Sequence, residues 1–131
     1  MDALPVAEET GLEFASQHEG RMHACGHDSH TAIALVTAKI INENKDKIKG
    51  AVKFIFQPGE EIPGGAKPMI DEGALLNPKV DYFISLHNGK LADLGHGNIG
   101  FRENELMASM DKFSLKVTGR GGHGASPHLA I

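Results

Sequence analysis

The chain has 131 residues, 13 Lys+Arg against 17 Asp+Glu and a formal charge of −4 with His neutral. Its 40% hydrophobic and 23% charged residues are ordinary globular usage, which excludes a disordered tail or a fibrous repeat and bounds the chain at one full domain. The slightly acidic balance, with no Lys/Arg block, argues against nucleic acid or an anionic membrane surface as partners.

The single cysteine, Cys25, has no internal disulfide partner, and no charged-then-apolar leader opens the chain. A reducing, cytoplasmic setting is the expectation. No apolar run approaches the roughly 20 residues that cross a bilayer; the longest, residues 31–41, is interrupted by Thr37 and Lys39. Sixteen Gly and eight His are the unusual counts, and His23, His27 and His30 surround Cys25. His18 and His96 have no partner pattern and stay unassigned.

In chain order, Pro5 ends whatever extended structure Asp2 belongs to. Ser29 or Thr31 can cap a helix in which Ile33, Val36, Ile40 and Ile41 recur at three-to-four spacing, predicting a helix over 29–44. Residues 51–56, rich in β-branched and aromatic side chains, read as a buried strand that stops at Pro58-Gly59. Gly64 and Gly65 open a second helical stretch, 66–75, in which Pro68 is confined to the first turn and Met69, Ile70 and Ala74 could face a sheet. Residues 80–86 are the next strand, and this alternation indicates an α/β layer architecture. From Asn98 the pattern changes: Ile99-Gly-Phe101 is short, and 115–118 alternates as a half-exposed strand does. The domain boundary is placed at residue 109, and the Gly-rich stretch 119–127 is a loop. The segment 110–131 is too short for a second core, so the sequence reads as a piece of a larger protein.

Four clusters carry chemistry. In Met22-His-Ala-Cys-Gly-His-Asp28, thiolate and imidazole suit zinc and similar ions, and Cys25-x-His27 spacing lets both side chains turn to one side. Gly26 permits backbone angles closed to other residues, and the following helix N-terminus favours a thiolate. Gln57-Pro-Gly-Glu-Glu61 lies at the end of a strand, where ligands gather in open α/β sheets. One of its carboxylates can ligate a metal while the other acts as general base. His87, ending the 80–86 strand, occupies an equivalent position. In Gly121-Gly-His-Gly-Ala-Ser-Pro-His128 an imidazole can donate to an oxygen that becomes negative during carbonyl attack. Taken singly, each has a bland alternative: an inert buried thiol, a solvated acidic turn, a strand-end His, a flexible loop. Their combination at successive loops of one sheet points to a site. Met69, Met107 and Met110 read as packing residues.

These motifs, with Met1-Asp-Ala-Leu-Pro5, Gly64-Gly-Ala66 and Leu86-His87, resemble in order and spacing the metal-dependent amidohydrolases of the aminoacylase/carboxypeptidase group, nearest the hippurate hydrolase and auxin-conjugate hydrolase branch. The resemblance implies a zinc-peptidase-like mixed sheet flanked by helices over residues 1–109, then over 110–131 the start of a ferredoxin-like lid or dimerisation domain. It implies two divalent ions (Zn, Mn, Co or Ni), with Cys25 bridging as thiolate and His27, Glu61 and His87 as further ligands. Glu60 would be the general base toward a metal-held water, and Asp2 would orient a ligand or metal. His123 would stabilise the oxyanion, often in the partner subunit's active site, so a homodimer or higher oligomer is expected. The implied substrate is a small N-acyl amino acid.

The family's remaining histidine ligand falls beyond Ile131, and the strand feeding Asp2 is missing, so the fragment alone is expected to be inactive. Gly124 stands where the family commonly has Ala. The alternatives are a dipeptidase or aminopeptidase-like use of the same scaffold and a non-catalytic metal-binding or interaction domain.

Overall fold

The computed structural model of the chain describes residues 1–62, 64–89, 94–95 and 97–130; His96 lies outside them. The chain divides into two compact units, Met1–Asp93 and Leu94–Ile131.

The first unit is organised by helix α1, His27–Glu43, which starts two residues before the predicted 29–44. Gly26, left-handed at φ 75°, turns the chain into the helix without a side-chain cap. Ser29 and Thr31 are therefore not caps. Their hydroxyls donate back to the carbonyls of Gly26 and His27, at 2.7 and 2.8 Å, as hydroxyls inside a helix do. At the other end the Asn44 amide donates to the Ile40 carbonyl at 2.9 Å, satisfying one orphan acceptor.

The covered side of α1 also differs from the expected one. His27, His30, Thr31, Ala34, Ala38 and Ile41 are buried or half-buried at helical spacing, whereas Ile33, Val36 and Ile40 are 41%, 58% and 55% exposed. Apolar residues occur on both sides of this helix, so periodicity alone could not choose the covered face. The unit covers the side with small residues, where backbone can approach.

Helix α2, Ala66–Asp71, is shorter than the predicted 66–75. Gly73, left-handed at φ 87°, ends it. The N–H groups of Gly73 and Ala74 donate to the carbonyls of Ile70 and Met69, both at 2.9 Å, the paired pattern of a glycine-terminated helix. The Lys53 ammonium then ties down the following turn by donating to the carbonyls of Ala74, Leu76 and Pro78.

Among the described residues no segment is paired into a sheet. Leu4 and Met22 form an isolated antiparallel bridge, exchanging N–H···O bonds of 2.8 and 3.1 Å. Within 80–86, Tyr82, Phe83 and Ile84 are 91%, 68% and 93% exposed, so neither side of that segment is covered. No hydrophobic residue is fully buried among the described residues; His27, at 4% exposure, is the buried side chain. None of the described helices is long and apolar enough to cross a membrane.

The second unit is irregular apart from a 3-10 turn at Pro127–Leu129. Ser126 N–H donates to the His123 carbonyl at 2.8 Å, and Arg120 Nη2 to the Leu129 carbonyl at 3.4 Å. A Cβ on Gly122 would lie 2.8 Å from that of Ala130, so the glycine allows this loop to fold back on itself.

Gly65 is the residue on which the placement of the acidic turn depends. A Cβ there would collide with the Pro58 carbonyl oxygen and lie 2.6 Å from that of Gly59. Gly65→Ala should therefore destabilise the protein by about 1–3 kcal/mol, the usual cost of overpacking. Gly121→Ala, with open space around the new methyl, should leave the denaturation midpoint nearly unchanged.

Candidate metal centre

The left-handed turn at Gly26 lets Cys25 and His27, two residues apart, contribute to one cluster. His27 heads α1 and is held from behind: the Asp2 backbone N–H donates to its Nδ1 at 3.0 Å. In the neutral ring the proton then sits on Nε2, facing Glu60 Oε2 at 3.5 Å and Glu61 Oε1 at 3.6 Å.

Asp2 ties three segments together. Its Oδ1 accepts from Gly59 N–H at 2.9 Å and its Oδ2 from Glu61 N–H at 3.1 Å, while its carbonyl lies 3.0 Å from His23 Nδ1. The backbone N–H groups of Glu61 and then Gly59 hold its carboxyl below the usual carboxylate range.

From the far end of the unit, His87 brings Nε2 within 3.4 Å of Cys25 Sγ. Two groups of donors result, each with ligand atoms within 4.8 Å of one another: Cys25, His27 and His87, and His27, Glu60 and Glu61. His27 belongs to both. Of the two carboxylates, Glu60 is 53% exposed and Glu61 27%.

The donor set fits divalent transition ions in kind: one thiol, two imidazoles and two carboxylates. Glu61 Oε1 and His87 Nδ1 are also buried without a hydrogen-bond partner among the described residues, and such atoms are costly unless something binds them. Burial first, then the hydrogen bond and charge of Glu61, pushes the Cys25 thiol above the ordinary cysteine value. This is opposite to the thiolate expected from the helix N-terminus. Burial first, and the nearby carboxylates after it, favour the neutral thiol, and a bound cation would favour the thiolate.

Every candidate of the first unit is thus brought together: Asp2, Cys25, His27, Glu60, Glu61 and His87. His123 belongs to the second unit, where its Nδ1 accepts from Ala125 N–H at 3.1 Å. Three neighbours of the cluster were given no site role by the sequence, although His30 was noted beside Cys25 and Ser29 as a possible helix cap. His30 Nε2 accepts the Asn88 backbone N–H at 2.8 Å, and Ser29 Oγ accepts from the Asn88 amide at 2.6 Å. Burial, then the neighbouring His87 and His27, holds His30 below the ordinary imidazole value, consistent with a neutral accepting ring. The available signal was the adjacency of Ser29-His30 to the Cys-Gly-His motif and of Asn88 to His87.

The model of peptidase family M20/M25/M40 matches residues 1–128. The chain belongs to this family. It is 45% identical over 128 residues to the N-acetyl-L-cysteine deacetylase of Bacillus subtilis, covering 98% of this chain and 30% of that protein. To the N-acyl-L-amino acid amidohydrolase of Geobacillus stearothermophilus it is 47% identical over 132 residues, 100% of this chain and 35% of the relative. To thermostable carboxypeptidase 1 of Saccharolobus solfataricus it is 47% identical over 133 residues, 100% of this chain and 33% of the relative. This M20/M25/M40 chain therefore spans about a third of the length of the curated relatives it matches. No solved structure matches it.

Two measurements check the electrostatics. Because the folded pKa of Asp2 is depressed, its stabilising effect is present above the unfolded carboxylate pKa and is lost as pH falls through the lower folded value. Asp2→Asn should accordingly flatten the acid limb of the stability–pH curve, followed by chemical denaturation; an unchanged limb would remove Asp2 as the tie. For Cys25, iodoacetamide alkylation of the metal-free protein should accelerate through a midpoint above that of an ordinary thiol. A midpoint near neutrality would mean that the helix end dominates after all.

Proposed function

We propose that the protein containing this chain hydrolyses the amide bond of N-acyl amino acids, using a centre of two divalent ions. The observation that carries the reading is the convergence of Cys25, His27, Glu60, Glu61 and His87 in two overlapping donor groups, a set of side chains suited to divalent metal. The names of the relatives from B. subtilis and G. stearothermophilus support the substrate class.

Cys25, His27, Glu61 and His87 would hold the metal, and divalent ions bound there supply Lewis acidity toward water and the amide carbonyl. The other steps belong to side chains. Glu60, the more exposed carboxylate, is the one open to a water molecule and acts as general base. It takes a proton from water as the oxygen attacks the carbonyl carbon, then delivers that proton to the amide nitrogen as the C–N bond breaks. The products are a carboxylate and a free amino acid. Asp2 holds the Gly59–Glu61 turn and the His27 ring in place by the bonds described. His123 would donate to the carbonyl oxygen, as it gains charge, in the active site of the partner subunit.

The same proposal includes an α/β fold, with residues 51–56 and 80–86 as strands of a mixed sheet. The uncovered apolar side chains of 82–84 and of α1 support it, since such faces are ordinarily covered. Residues 110–131 would begin a lid or dimerisation domain, and a homodimer in the cytoplasm completes the reading.

Glu60→Gln in the intact protein tests the mechanism: turnover of N-acetyl amino acids should fall by about 100-fold or more, the lower range for a lost general base, with metal content unchanged. Retained turnover would take Glu60 out of the reaction. Cys25→Ala should instead lower metal occupancy. The carboxypeptidase name of the S. solfataricus relative favours a second reading, peptide hydrolysis. Faster turnover of dipeptides than of N-acetyl amino acids would establish it, and metal binding without hydrolysis of either would favour a binding module.

A further inference from the structure

We propose that Ser29 and His30 are positioning residues that dock the 87–89 segment onto the first turn of α1 and so set the reach of His87 toward Cys25. The inference rests on the reading of His87 as a metal ligand.

His87 needs an external anchor. The residues leading into it, 81–86, are exposed and carry no backbone hydrogen bonds among the described residues. Gly89, two residues on, has no side chain with which to fix the segment. The anchor is the next residue, Asn88, held at two points. Its backbone N–H donates to His30 Nε2 at 2.8 Å, and its side-chain amide donates to Ser29 Oγ at 2.6 Å. Ser29 spends its only proton on the Gly26 carbonyl at 2.7 Å, which leaves an oxygen lone pair aimed at Asn88. Two of these bonds form one directed chain from Asn88 through Ser29 to the turn that also carries Cys25, and the third fixes the Asn88 backbone on His30.

Packing closes the arrangement. The His30 ring meets the His87 ring edge-on, with centroids 4.5 Å apart and planes at 72°. A Cβ on Gly26 would lie 3.4 Å from Asn88 Nδ2, so the amide already rests against the turn. His30 is in neither donor group, and its Nε2 is occupied as an acceptor. Its contribution is therefore to orientation. Ser29 and His30 stand three and four residues after Gly26, the spacing that places them on one side of the helix, and the same side receives Asn88.

The test is metal binding by the intact protein, measured as Co(II) and Zn(II) affinity in chelator competition and as the Co(II) absorption spectrum. Ser29→Ala and His30→Leu should each weaken Co(II) binding by about 10–100-fold, the range for residues that orient ligands. Their d–d bands should move toward those of His87→Ala, while the thiolate-to-cobalt band from Cys25 persists. His30→Gln, which keeps an acceptor near the position of Nε2, should recover most of the loss. If His87→Ala loses affinity while Ser29→Ala and His30→Leu keep wild-type affinity and spectrum, the positioning role is wrong and His87 remains a ligand. If His87→Ala binds Co(II) as the wild type does, the ligand reading falls and the positioning role with it. Should His30→Leu lose its helical circular dichroism, a Ser29→Ala/Asn88→Ala double-mutant cycle decides. Non-additive losses support the shared contact, and additive losses overturn it.

Discussion

The arrangement depends on a single aspartate. Asp2 uses its carboxylate to accept two N–H groups of the 59–61 turn and its own backbone N–H to hold the His27 ring. It thereby joins segments separated by 25 and 59 positions. A carboxylate suits this task because it is acceptor-only and offers two oxygens, so one side chain can satisfy two donors of a turn whose carbonyls face elsewhere. The same bonds hold it ionised, and its charge is thereby used structurally.

Around that tie the chain collects groups that oppose one another. Glu60 and Glu61 approach the same imidazole, and burial, then Glu61, pushes the Cys25 thiol above its ordinary value. Buried polar atoms without partners among the described residues, at Glu61 and His87, add to the cost. A divalent cation bound there would offset the acids and favour the thiolate together. The cluster is thus better explained as a receptor for charge than as a stabilising element. The most enclosed described side chain is His27, a site residue, in a unit without a fully buried hydrophobic residue.

Close backbone contact makes this convergence possible. Gly26 turns left-handed into α1, and Gly65 lies against the Pro58 and Gly59 carbonyls. Both positions disfavour a side chain for a geometric reason, and each sits beside a segment that carries candidate ligands. Helix α1 serves as the platform. Its first turn carries His27, Ser29 and His30, and its alanines let other chain segments come near.

Residues adjacent along the chain could be read directly from the sequence. Cys25, Gly26 and His27 form a local motif whose spacing dictates its geometry, and the acidic pair after Pro58-Gly59 is equally local. The existence of both helices also followed from local pattern, although their ends did not, because left-handed glycines at 26 and 73 set those ends and hydroxyls at 29 and 31 turned inward. Only tertiary structure decided which side of α1 is covered, since apolar residues lie on both. It also decided the upward shift of the Cys25 thiol, which comes from burial and then from carboxylates more than thirty residues away in sequence, and the docking of Asn88 on Ser29 and His30. Those outcomes come from through-space contacts between distant segments, and no pattern within a local window contains them.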